Sequence, residues 1–161
     1  MRAYADTSFI VKLAAREKDA DAAVAEYRRH GLPALFYLSF HALEVENAIR
    51  QNVFHLRRSL PSKNRSLITQ ASAATFARLR AMLDRKRLLE TSCDWDTGVL
   101  RARALSQKHT EATGIRTLDL LHVAFALELQ SELFFSTEQR QTNLARAEGL
   151  EVAAIFEEDS V

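Results

Sequence analysis

The chain is poor in the residues that build cross-linked, extended or irregular proteins. Its single cysteine, Cys93, excludes an internal disulfide and suits a reducing compartment, so a cytoplasmic location is expected. As an isolated thiol, Cys93 is expected to be buried and inert. Four glycines and two prolines leave little room for linkers or low-complexity tails. No apolar run approaches the ~18 residues that a membrane helix needs, so no membrane association is expected. The short apolar opening is broken by Asp6 and does not read as a signal peptide. No internal repeat is visible. Nor is either charge in excess: a formal net charge of +1 gives no global attraction to nucleic acid, so any polyanion-binding patch must be local.

What remains is an ordinary globular composition, 47% hydrophobic and 27% charged over 161 residues. One domain spanning residues 1–161, with a substantial core, is the expectation. Apolar runs at 2–5, 34–39, 88–89, 133–136 and 152–155 read as short strands. Helical spacing or composition fills 20–30, 40–51, 71–87, 93–109, 117–129 and 139–148, and Phe9, Ile10, Leu13 and Ala14 share one face of a further helix. Thr7 or Ser8 is expected to cap that helix, and the acidic end 157–159 to fray. Strands separated by helices imply parallel β/α units, hence an α/β fold.

In such a sheet, ligands collect at the carboxyl ends of the strands. Asp6 ends the first strand and Glu138 follows the fourth. Glu44 and Glu46 lie two residues apart on one helix, a turn of about 200°, so only one can face a shared pocket. Asp119 sits in the first turn of an otherwise apolar helix, where a lone carboxylate costs roughly several kcal/mol unless it is paired. Helix-start N–H groups are one way to satisfy it, with Arg116 also adjacent. His122 shares its face and reads as a hydrogen-bonded core histidine rather than a ligand. Ser136, at a strand end, is placed to orient a carboxylate or a water. Carboxylates without paired His or Cys suit Mg²⁺ or Mn²⁺ rather than zinc. The natural use of such a site is phosphodiester hydrolysis.

Residues 47–83 contain no Asp or Glu at all, but include Arg50, Arg57, Arg58, Lys63 and Arg65. With Pro61 and Ser62 at a turn, this stretch reads as a basic helical arm over about 50–85. It would serve RNA or partner binding, or be merely a solvated helical hairpin.

These residues resemble the PIN domain, and in particular the VapC-like toxin ribonucleases of toxin–antitoxin pairs. YADTSFIVKL is similar to the family's first strand, with Asp6 as first acid and Ser8 as its accompanying hydroxyl. LEVENAI is similar to the second motif and selects Glu44 over Glu46. RTLDLLHVAFAL carries the third acid, Asp119, and FFSTEQRQTNLARAEGLEV matches the closing motif. There Glu138 replaces the usual Asp, which moves the carboxylate by on the order of 1.5 Å. The resemblance implies a three-layer sandwich with a five-stranded parallel sheet flanked by helices, and Mg²⁺- or Mn²⁺-dependent endoribonuclease activity on single-stranded RNA. It further implies a homodimer inhibited by a cognate antitoxin. Asp6, Glu44, Asp119 and Glu138 would be catalytic, with Asp6 and Asp119 holding the metal most directly and Ser8 and Ser136 supporting them. The rival reading is a non-catalytic RNA- or partner-binding module on the same fold. An aspartyl nucleophile at Asp6 would want a general acid two residues on, where Ser8 stands.

Overall fold

The computed structural model describes residues 1–15 and 20–155. The stretch 157–159, expected to fray, lies outside the described residues. Five strands form one all-parallel sheet in the order β3-β2-β1-β4-β5. They are β1 (Ala3–Ala5), β2 (Leu35–Tyr37), β3 (Leu88–Glu90), β4 (Leu133–Ser136) and β5 (Glu151–Ala154). Seven α-helices accompany them among the described residues: α1 (Thr7–Ala15), α2 (Ala20–Arg29), α3 (Ser39–Ser59), α4 (Arg65–Asp84), α5 (Trp95–Thr113), α6 (Thr117–Glu128) and α7 (Gln139–Ala147).

Strand side chains alternate between faces, and the alternation sorts the helices into two layers. Ala3, Ala5, Leu35, Tyr37, Leu133 and Phe135 join Phe9, Ile10, Tyr27, Val45, Ile49 and Leu79, so α1 to α4 cover one face. Tyr4 and Phe134 join Leu105, Phe125 and Leu144, so α5 to α7 cover the other. The nearly all-apolar α6 is buried as its composition demands, from Asp119 through Ala126.

Central β1 has β2 on one side and β4 on the other. The chain first winds outward through β2 and β3, then crosses back to β4. The carboxyl ends of β1 and β4 therefore flank the point where the winding reverses, the usual place for a crevice. Asp6 follows one of these strands and Glu138 the other.

Three helices extend beyond their expected bounds, α5 by four residues to Thr113 and the two of the arm by more. α3 continues to Ser59 and α4 starts at Arg65, joined by a single 3-10 turn at Ser62–Asn64. The hairpin is anchored by Arg78, whose Nη2 donates to Ala15 O at 2.9 Å and whose Nε donates to Ala14 O. It thereby satisfies carbonyls at the end of α1. Cys93 is partly exposed rather than buried, because it lies between β3 and α5 at the margin of the second core. Desolvation, followed by Glu128 and Asp94, still pushes its thiol up.

Candidate active site

A cavity of about 640 Å³ opens at the carboxyl ends of β1 and β4. Asp6, Glu44, Asp119 and Glu138 all line it. They come from four separate elements: the end of β1, the face of α3, the first turn of α6 and the residue before α7. Glu46, two residues from Glu44, points elsewhere and pairs with Arg50 at 2.9 Å.

Asp6 is 2% exposed. Its Oδ1 accepts from Phe9 N at 2.8 Å, and its carbonyl accepts from Ile10 N at 3.2 Å. Asp6 itself therefore caps α1, and neither Thr7 nor Ser8 takes the role expected of them. Ser8 Oγ donates to both Asp6 oxygens, at 2.8 and 2.9 Å. Thr137 Oγ1 lies 2.6 Å from Ser8 Oγ and extends this chain of hydroxyls. Ser136 Oγ lies 2.7 Å from Asp6 Oδ2 and 3.0 Å from Gln141 Oε1, so its one proton is shared between them. No ion pair among the described residues neutralises Asp6. Burial pushes its carboxyl above the usual range; His122 and the donors from Phe9, Ser136 and Ser8 pull against it.

Asp119 is not held by helix-start N–H groups. Oδ1 accepts from Gln141 Nε2 at 3.1 Å, and Oδ2 accepts from Arg116 Nε at 3.0 Å. The reason is the cap: Arg116 occupies the N-cap position with extended backbone, which folds its side chain back over the first turn. Glu138 is half exposed, with Oε2 3.8 Å from Arg116 Nη2. Glu44 Oε2 accepts from Thr7 Oγ1 at 2.9 Å and lies 2.9 Å from His122 Nε2. His122 is a buried, hydrogen-bonded histidine as expected, but it also lines the cavity. Its Nδ1 is 3.1 Å from Tyr4 OH. Burial pushes the Tyr4 phenol far up, so it stays protonated.

Sequence reading missed Gln141, which is 2% exposed and links Ser136 to Asp119. The signal was present: Gln141 shares the inward face of α7 with Leu144 and Ala145. It also missed His41, whose Nδ1 accepts from Leu38 N at 3.0 Å while Nε2 donates to Ala5 O at 3.1 Å. This fixes the end of β1 just before Asp6. Burial and the neighbouring His122 hold the His41 imidazole well below its usual range, and so neutral.

Polar residues thus run without a break from Thr137 through Ser8, Asp6, Ser136, Gln141 and Asp119 to Arg116. A model of the PIN domain matches residues 3–147. The chain belongs to the PIN domain family. No curated protein and no solved structure matches it. PIN domains are generally nucleases, and PIN nucleases typically use divalent metal ions. By donor chemistry this PIN domain's cavity fits such an ion, since its acids offer hard oxygen ligands. By placement those ligands are already engaged: Arg116 holds Asp119, His122 and Thr7 hold Glu44, and hydroxyls hold Asp6. Among the described residues, no three His, Cys, Asp or Glu side chains stand close enough together to hold an ion.

The cations of the arm lie outside this cavity. Arg50 pairs with Glu46 and lies over Phe76, Arg57 donates to Thr69 Oγ1, and Arg58 lies over Phe54. Lys63 and Arg65 are exposed at the hairpin turn. Asn52 carries the arm to the cavity wall.

Proposed function

We propose that this chain is a divalent-metal-dependent endoribonuclease acting on single-stranded RNA, and the toxin of a toxin–antitoxin pair. The observation that carries the reading is the convergence of four carboxylates, from four elements, on one cavity at the reversal of the sheet. Asp6 and Asp119 would hold the ion. When bound, such an ion lowers the pKa of a water and neutralises charge on the scissile phosphate. Glu44, steadied by Thr7 and His122, would complete the ion's shell or take the proton of the attacking water. Ser8 and Ser136 keep the buried Asp6 carboxylate aimed, and Gln141 couples its orientation to that of Asp119. Glu138 assists from the exposed rim.

Outside the cavity, the exposed Arg57, Arg58, Lys63 and Arg65 would hold RNA phosphates or an acidic segment of an antitoxin. A homodimer in the cytoplasm completes the reading. Cleavage of structured and unstructured RNA with Mn²⁺, by the wild type and by Asp6→Asn, tests the activity. Equal cleavage by both proteins would sink it. Co-purification with a small DNA-binding protein encoded just upstream tests the toxin assignment.

One observation favours the rival, a non-catalytic module on the PIN fold: all four acids are engaged by internal partners. Calorimetric titration with Mn²⁺ separates the two readings. Binding that Asp119→Asn abolishes supports the nuclease; RNA retention without any requirement for a divalent ion supports the module.

A further inference from the structure

Arg116 has no part in the reaction proposed above, yet it bridges two of the cavity's four acids. Its guanidinium reaches Asp119 on α6 through Nε at 3.0 Å, and Glu138, beyond β4, through Nη2 at 3.8 Å. One cation thus spans carboxylates from two elements. The Arg116 side chain is 67% exposed and that of Asp119 only 9%. The acid is fixed in the wall, and the base is an arm lying over it from the solvent side. Water reaches the guanidinium but not the carboxylate, so the arginine can leave only where another cation takes its place on Asp119. Asp119 would not swing away with the arginine, because Gln141 Nε2 keeps hold of its other oxygen. Pairing with Asp119, first through the hydrogen bond and then through charge, pushes the guanidinium up, so the arm is always charged.

A guanidinium on Asp119 Oδ2 and a divalent ion on the same carboxylate compete for the same lone pairs and repel one another. We propose that Arg116 is an internal counter-ion which a divalent ion must displace from Asp119, and that the displaced guanidinium then takes the non-bridging oxygens of the substrate phosphate. This rests on the metal-nuclease reading above. The exchange keeps the buried acid of α6 compensated in both states, which so deeply buried a carboxylate requires. The planar fork of an arginine matches a phosphate as well as it matches a carboxylate. The same side chain can therefore serve first one anion and then the other from a single position at the cavity rim.

The experiment measures Mn²⁺ binding by calorimetry at fixed ionic strength, and KM on an unstructured RNA, for wild type, R116Q, R116K and R140Q. Arg140 lies two residues beyond Glu138 and rests on the Gly114 carbonyl rather than on an acid, so it controls for loss of charge alone. R116Q is expected to bind Mn²⁺ about three- to tenfold more tightly and to raise KM about tenfold. R140Q is expected to change Mn²⁺ affinity by less than about twofold. R116K, which keeps the charge without the fork, should fall between wild type and R116Q in Mn²⁺ affinity. Unchanged or weaker Mn²⁺ binding in R116Q overturns the proposal, as does an unchanged KM, or an equal gain in R140Q. If wild type binds Mn²⁺, D119N does not, and R116Q matches wild type, this inference alone fails. If neither wild type nor R116Q binds Mn²⁺, the metal-nuclease reading falls with it.

Discussion

His122 Nε2 lies 2.9 Å from Glu44 Oε2, at the end of a buried line that begins at the Tyr4 hydroxyl. The line connects the central strand to the long helix α3 through a residue of α6, so three elements determine where one carboxylate points. H122A should therefore leave Glu44 held by Thr7 alone and lower kcat about 10- to 100-fold, with KM little changed. H122Q can still offer an N–H to Glu44 and should recover part of that loss. Wild-type kcat in H122A, measured under saturating RNA, would remove Glu44 positioning from the scheme.

Asp6 is expected to trade stability for function. The folded chain binds the Asp6 proton more tightly than the unfolded chain does, because burial raises its carboxyl. Its contribution is thus most favourable below the ordinary carboxylate range and is lost as pH rises through the raised value. Asn cannot ionise and is as good a helix cap as Asp. D6N should accordingly gain roughly 1 kcal/mol at neutral pH, or about 2–4 °C in Tm at this chain length. It should lose RNA cleavage. The difference in Tm should shrink as pH is lowered toward the ordinary Asp range, and Mn²⁺ should raise Tm only in the wild type. A D6N protein less stable than wild type at pH 7 contradicts this account.

Gly98 is buried in α5, where a Cβ would overlap the ring of Phe125. That ring cannot simply turn aside, since Phe40 and Trp95 pack against it, tilted, with centroids 5.7 and 5.3 Å away. G98A should destabilise by about 1–3 kcal/mol despite the higher helix propensity of alanine. Chemical denaturation would show it as a lower midpoint at constant m-value, and a midpoint at or above wild type would refute it.

If the arm holds RNA phosphates, removing two of its exposed cations should be visible in the salt dependence. R57Q/R58Q should lower the slope of log K against log salt by about 1.4 for single-stranded RNA, or roughly 0.7 per lost phosphate contact. An unchanged slope would leave the arm to a protein partner.

Three acids were legible in the sequence: Asp6 at a strand end, Asp119 in an apolar helix, and Glu44, chosen over Glu46 by the LEVENAI motif once helical geometry had allowed only one of the two. The strand set was legible too, although β3, three residues at the sheet edge, showed only two of its members. What holds the acids was much less visible. Thr7 and Ser8 read as caps from local rules, whereas Asp6 took the cap and released both hydroxyls for carboxylates. Gln141 and His41 act through partners 22 and 36 residues away, a distance at which no periodicity can report them. Arg116 was noticed beside Asp119, but its reach to Glu138 depends on how α6 meets the turn after β4.

The placement of β1 also sets a timetable for synthesis. Made first, this strand lies at the middle of the sheet, and one of its flanks waits for β4, with Ala3 opposite Leu133. Ser136 follows Asp6 by 130 residues, and Gln141 follows Asp119 by 22. A nascent chain that has not yet released Ser136 from the ribosome holds Asp6 without that hydroxyl and Asp119 without the Gln141 amide. The first strand must wait for the fourth, and such long-range pairing is slow to form. Translation therefore has to run beyond Gln141 before the cavity is complete, and a product that stops short of Ser136 carries the first three acids without the groups that orient them.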